Sequence, residues 1–289
     1  MIKLERIRTD VAINQGFRGQ KRVDRLQALM KAKYIDNINL DSKYWKTRSF
    51  WKDAKEQLKK ESFEKCAYCE ANTAVVAHGD VEHFRPKSVY WWLAYCYDNY
   101  LYSCQICNEK FKGDDFPIAA TVILKPGREI PAQVTQTDID AISAFLIPDP
   151  LNDVEGLPMT DFLKAIKKEK AGLIDPYIFD PEPFFKWTAN EVKKTVEIAP
   201  RKNTVVIKRT FEAVTKFYGL NRPELVGLRW KTYRIISRYK MTLESNAINN
   251  DPNLIQEIKD ALKEMMDNSS QFAGMVRYFV RDVWKLNLN

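Results

Sequence analysis

Apolar residues recur at helical spacing twice near the start of the chain: Val23, Leu26, Leu29 and Met30 within residues 18–33, then Phe50, Trp51, Ala54 and Leu58 within residues 45–60. The i, i+3, i+4 recurrence predicts two amphipathic helices with lysine and arginine on their far faces. The last third repeats the pattern four times. Residues 203–218 stop at Gly219; Asn221 with Pro223 opens a helix to about residue 244; Asp251 and Pro252 start another to about 267; Ser269 or Ser270 caps a last one to about 284. Caps, early prolines and a closing glycine mark these ends, and the shared spacing predicts a packed bundle.

The middle of the chain reads differently. Residues 184–187 and 195–198 alternate apolar and polar on either side of a turn and predict a β-hairpin. Pro126, Pro131, Pro148, Pro150, Pro158 and Pro176 break residues 119–182 into loops, one helix near 160–170 and little strand. The chain then divides into a basic helical segment (1–60), a small core (61–118), a Pro-rich irregular linker with the hairpin (119–200) and a helical domain (201–289). The expected class is α+β, mainly α.

Chemistry concentrates in the small core. Cys66-Ala-Tyr-Cys69 and Cys104-Gln-Ile-Cys107 enclose Asp80-Val-Glu-His-Phe-Arg-Pro-Lys87. Two CxxC pairs supply four thiolates for a closed tetrahedral zinc site, and a closed site is structural. A redox reading lacks its thioredoxin-like surroundings. Cys96, among Trp91, Trp92, Tyr95 and Tyr97, is expected in the core.

Asn108 directly follows the second pair, and a helix is expected after Cys107, ended by Gly113. With Glu82 and His83 on a facing strand, carboxylate, imidazole and amide can surround one hydrated cation. Phosphodiester hydrolysis needs such a cation and a base near neutrality. Imidazole has an ordinary pKa of about 6.5, and oxygen donors favour Mg²⁺ or Mn²⁺ over Zn²⁺. Arg85, Pro86 and Lys87 suggest a solvent-facing strand end. Arg85, Lys87 and Lys110 are candidate phosphate contacts, Lys112 is a further one, and His78 beside Gly79 is expected at the surface.

The blocks CAYCE (66–70), VEHFRPKS (81–88) and the run from Asp98 to Lys112 resemble the HNH nucleases with a ββα-metal core. That resemblance implies His83 as general base, Asn99 as the residue orienting it and Asn108 as a metal ligand. Glu82 takes the acidic position before the base, where many relatives carry Asp, and Asp80 stays open as the alternative acidic ligand. Implied cofactors are a structural Zn²⁺ and a catalytic Mg²⁺ or Mn²⁺, with products bearing 5′-phosphate and 3′-hydroxyl. With Ile174-Asp-Pro-Tyr177 and Gly219-Leu-Asn-Arg222 added, the chain is most similar to the HNH subunits of Septu anti-phage systems, including those found with retrons. These imply a DNase working with an ABC-type or AAA-like ATPase subunit of the PtuA type. The chain has no GxxxxGK[ST] loop, so nucleotide control would come from another chain.

Charge adds one constraint. The net value of +8 divides into about +9 over 1–60, −8 over 61–200, +8 over 201–250 and −1 thereafter. Basic flanks around an acidic middle suit a polyanionic partner held through counterion release. The start lacks an apolar signal core, no run of about 18 apolar residues exists, and cysteines spaced for metal suit a reducing compartment. The expected setting is the cytoplasm. Two other readings stay open: a catalytically silent zinc module that binds nucleic acid or a partner protein, and an RNase.

Overall fold

The computed structural model describes residues 1–73, 78–120, 123–151, 156–245 and 251–288, so parts of the 119–182 segment lie outside the described residues. Two compact units form, each drawn from separated stretches of sequence. One gathers Glu5–Glu61 and Gly79–Leu173; the other gathers Met1–Leu4, Ser62–His78 and Ile174–Asn289. Helix dominates, with two small antiparallel sheets, which agrees with the expected α+β class.

In the first of these units, α1 spans Gly19–Tyr34 and buries Leu26, Leu29 and Met30 as their spacing requires. The single helix expected over 45–60 is instead three pieces: α2 at Ser42–Lys46, a 3₁₀ turn at Phe50–Ala54 and α3 at Lys55–Glu61. Asp41 caps α2 through the N–H groups of Lys43 and Tyr44. The break at Thr47–Ser49 lets Trp45 and Trp51 meet edge to face at 5.9 Å, with Tyr95 packed against Trp45 at 6.0 Å. Aromatic packing has overridden helical periodicity here.

Strand β1, Asp80–His83, pairs antiparallel with β2, Tyr100–Ser103, in the register Asp80↔Ser103, Glu82↔Leu101 and His83↔Tyr100. Every residue of β2 is buried, and Tyr100 and Tyr102 join Ile13, Phe17, Ala54 and Leu58 in one core. At Gly79 a Cβ would come within 2.3 Å of the Tyr102 ring, so only glycine lets the chain enter β1 there. After β2 comes a wide, π-type helix, Ile106–Lys112, closed by Gly113 at φ +47°. Helices α4, Gln136–Ile142, and α5, Met159–Lys168, follow. The Pro-rich reading missed α4, although its capping box, Thr135 with Asp138, stands in the sequence.

In the second unit β3, Phe185–Asn190, and β4, Thr195–Pro200, form the expected hairpin, two residues longer per strand. Phe185, Trp187, Val196 and Ile198 turn inward. Helices α6 (Val205–Phe217), α7 (Pro223–Leu243) and α8 (Pro252–Met266) lie where apolar spacing, Gly219, Pro223 and Asp251 placed them, and α7 packs on β4. Asn221, just before α7, pairs with the main chain of Ile198 through both amide atoms (2.9 and 3.0 Å) and so ties helix to hairpin. Helix α9 starts at Ala273, later than expected, and runs on as a π-type turn, Tyr278–Val283. Ser269 bonds Asp267 and Ser270 bonds the Glu264 carbonyl, while Phe272 adopts φ +59°, so neither serine caps α9. Tyr68 stacks on Tyr218 at 3.8 Å and 13°, joining the first CxxC turn to the end of α6. Among the described residues no helix is long and apolar enough to cross a membrane.

Candidate functional site

Cys66, Cys69, Cys104 and Cys107 are all buried, and their sulfur atoms lie within 4.8 Å of one another. A tetrahedral Zn²⁺ with bonds of about 2.3 Å holds its sulfurs about 3.8 Å apart, so the four residues fit zinc. The turns are shaped for it. The Cys107 N–H points at the Cys104 sulfur (3.4 Å), and Glu70 closes the first turn in the left-handed region at φ +60°. Cys96 takes no part: it is fully buried, and burial pushes its thiol up to about 12.

Alternation along β1 sends Asp80 and Glu82 to one face of the hairpin and His83 to the other. On the carboxylate face, Glu82 is nearly buried and Lys112 meets it at 2.6 Å. The same ammonium donates to the His83 carbonyl at 3.2 Å. Lys112 therefore pins the Ile106–Lys112 helix, which carries Asn108 one turn earlier, against β1. Asp80 Oδ2 and Ser103 Oγ, on facing residues of the ladder, are buried and find no hydrogen-bond partner among the described residues. Burial raises the pKa of Asp80, with Lys55 and Lys52 opposing.

On the opposite face the His83 imidazole packs edge-on against Trp51 (4.9 Å) and Tyr100 (5.1 Å). Its Nε2 lies 3.1 Å from the Ala94 carbonyl, an acceptor, so Nε2 carries the proton and Nδ1 the lone pair. Burial first, then the charges of Lys87 and Lys112, lower its pKa to about 3 against the pull of that carbonyl.

The expected solvent-facing strand end is in fact closed. Phe84, Arg85 and Pro86 are buried. Arg85 donates to Glu169 at 2.8 Å with its guanidinium near the Phe84 and Phe116 rings, and Tyr90 and the Leu124 N–H also bond that carboxylate. Arg85 is thus an internal counter-ion, not a side chain offered to phosphate. Asn99 grips the Arg85 main chain from both sides, accepting from its N–H (2.9 Å) and donating to its carbonyl (3.0 Å). It fixes the exit of β1 two residues beyond His83 and does not touch the imidazole through these bonds. Lys110 is exposed on the helix beside Phe111, and His78 is at the surface.

Sequence reasoning missed an open feature that shares Trp51 with the surroundings of His83. A cleft of about 910 Å³ is lined by Lys43, Lys46, Lys52, Lys87, Trp45 and Trp51. Lys87 is half-buried with its ammonium 5.2 Å from the Trp51 ring; burial lowers its pKa, and Asp114 and Glu82 pull the other way. The lysines of residues 43–52 were legible as basic charge, but their convergence with Lys87 depends on the break after α2.

One curated protein matches part of the chain. The Septu protein PtuB of Bacillus mycoides (strain KBAB4) is 31% identical over 131 residues, which span 41% of this chain and 43% of that protein. Over that stretch this chain is similar to PtuB. The match covers less than half the length of PtuB, so it carries kinship rather than a full account of activity. No protein-family model matches the chain, and no solved structure does.

Proposed function

We propose that this chain is a metal-dependent nuclease of a Septu-type anti-phage defence system, cleaving nucleic acid at the β1–β2 hairpin and its docked helix. The observation that carries this reading is the arrangement of Glu82, His83, Asn99 and Asn108 on one hairpin and the helix that Lys112 pins to it. Likeness to PtuB, a Septu protein, supports the defence setting, and the partner proposed with it is an ATPase of the PtuA type.

In this reading Glu82 and Asn108, with Asp80 on the Glu82 face of β1, would hold one Mg²⁺ or Mn²⁺. The unpartnered Asp80 and Ser103 oxygens on that face favour an oxygen-ligand cation there. Such a cation neutralises charge developing on the phosphate and acidifies water. Lys112 balances Glu82 in the structure, and would be free to meet phosphate if a cation neutralised that carboxylate. His83 accepts the proton at Nδ1, its other nitrogen held by Ala94. Asn99 keeps the strand end rigid beneath it, and Lys87 and Lys110 supply positive charge.

A specific observation favours a second reading, a zinc module that binds without cutting. Glu82 and His83 occupy opposite faces of the strand, and an imidazole with a pKa of about 3 is a weak base. Supercoiled plasmid and tRNA, incubated with Mg²⁺ or Mn²⁺ and the protein alone or with its neighbouring-gene ATPase, separate the two. Cleavage that disappears in His83→Ala, with the mutant still folded, is the expected result. Binding without cleavage under every condition would establish the silent module, and equal cutting by His83→Ala would remove His83 from the chemistry.

A further inference from the structure

The cleft beside His83 has a composition its neighbours do not explain. Lys43, Lys46 and Lys52 are exposed on its wall, and none of the three holds an ion pair among the described residues. Two acids share the lining. Asp41 is spent capping α2, and Asp114 sits in the field of Lys87. The lining keeps an excess of positive charge. Trp51 belongs to both surroundings at once: it lines the cleft and touches the His83 ring edge-on at 4.9 Å.

We propose that this cleft binds an unpaired strand of nucleic acid, its phosphates on Lys43, Lys46 and Lys52 and one base against Trp51, the ring that also packs on His83. A basic groove with an aromatic wall is the recurring solution for single strands, since every base has a face to stack and every phosphate a charge to meet. Size suits one strand. About 910 Å³ is the scale of a ligand pocket and admits a few nucleotides of one strand, whereas a double helix would have to lie across its mouth. Lys87, now against the Trp51 ring, yields that place to a base and turns to the adjoining phosphate. The proposal rests on the nuclease reading of the site, and adds the class of substrate it receives.

The test is fluorescence anisotropy with zinc-loaded His83→Ala protein, no added Mg²⁺ or Mn²⁺, and labelled oligo(dT), oligo(U) and a short duplex, over a range of salt. Replacing Lys43, Lys46 and Lys52 together by Gln should weaken single-strand binding at least tenfold. It should also flatten the salt dependence by about 2 in log K against log salt, from three contacts at about 0.7 each. A control set on the other unit, Lys186, Lys193 and Lys194 to Gln, all exposed and outside the basic flanks, should change binding less than threefold. Tight binding of either sugar supports the cleft, and the stronger one names the natural strand. Unchanged affinity in the cleft triple, or duplex bound more tightly than single strand through the same lysines, overturns it. Plasmid cleavage by each triple in a His83 background separates failures: intact cleavage with unaltered strand binding sinks the cleft alone, while cleavage by His83→Ala sinks the catalytic reading and leaves the binding result standing.

Discussion

The imidazole of His83, between Trp51 and Tyr100, has lost most of its contact with water, and an arriving proton would also meet Lys87 and Lys112. Its folded pKa of about 3 lies below the ordinary value of 6.5, so the native state favours the neutral ring. The stability tied to that neutrality is complete above pH 6.5 and drains away as pH falls toward 3. By pH 5 the loss is about 2 kcal/mol, at about 1.4 kcal/mol per pH unit. His83→Gln, which can still donate to Ala94 but cannot titrate over this range, should lose less stability between pH 7 and pH 5 in urea melts. Parallel losses in the two proteins would show that His83 is not the group being protonated. Residue types announced the chemistry here, but not the surroundings. Nothing near Arg85 in sequence reveals that its counter-ion is Glu169, 84 positions on, and that long-range pair is what turns a presumed phosphate contact into a core residue.

At the scale of elements, the Ile106–Lys112 helix starts inside the second CxxC turn and ends in the ion pair to Glu82. A zinc ion on the four cysteines would therefore hold one end of the element that carries Asn108, and Lys112 holds the other. Cys104→Ser should abolish bound zinc and lower stability by several kcal/mol, a large share of the roughly 5–15 kcal/mol that a domain has in total. Metal analysis beside circular dichroism checks it, and a zinc-free variant with unchanged melting would refute the structural role. Most helices were legible because caps and prolines act locally: Gly219 marks an end, and Pro223 and Asp251 mark starts, that the structure keeps. The 45–60 stretch was misread for the opposite reason, since the tryptophans that break it respond to Tyr95, far along the chain.

For the molecule as a whole, net charge of +8 and an isoelectric point near 9.1 predict polyanion binding that fades with alkali as well as salt. The protein should be retained on heparin at pH 7 and elute at clearly lower salt at pH 9, and retention indifferent to both would mean that the basic segments are neutralised internally. Linear boundaries drawn at composition changes could not foresee two units that each take several separated stretches, because the pairings that define a unit are long-range. The Cys₄ pattern was readable at once because metal ligation has a fixed spacing, whereas the cleft needed three dimensions to exist. Within the second unit, the Tyr68–Tyr218 stack ties a residue inside the CxxC loop to the closing residue of α6. Neither ring can drift in evolution without the other: a flat, closely stacked pair leaves an unfilled slot when one partner shrinks, so across homologues positions 68 and 218 are bound to vary as a couple.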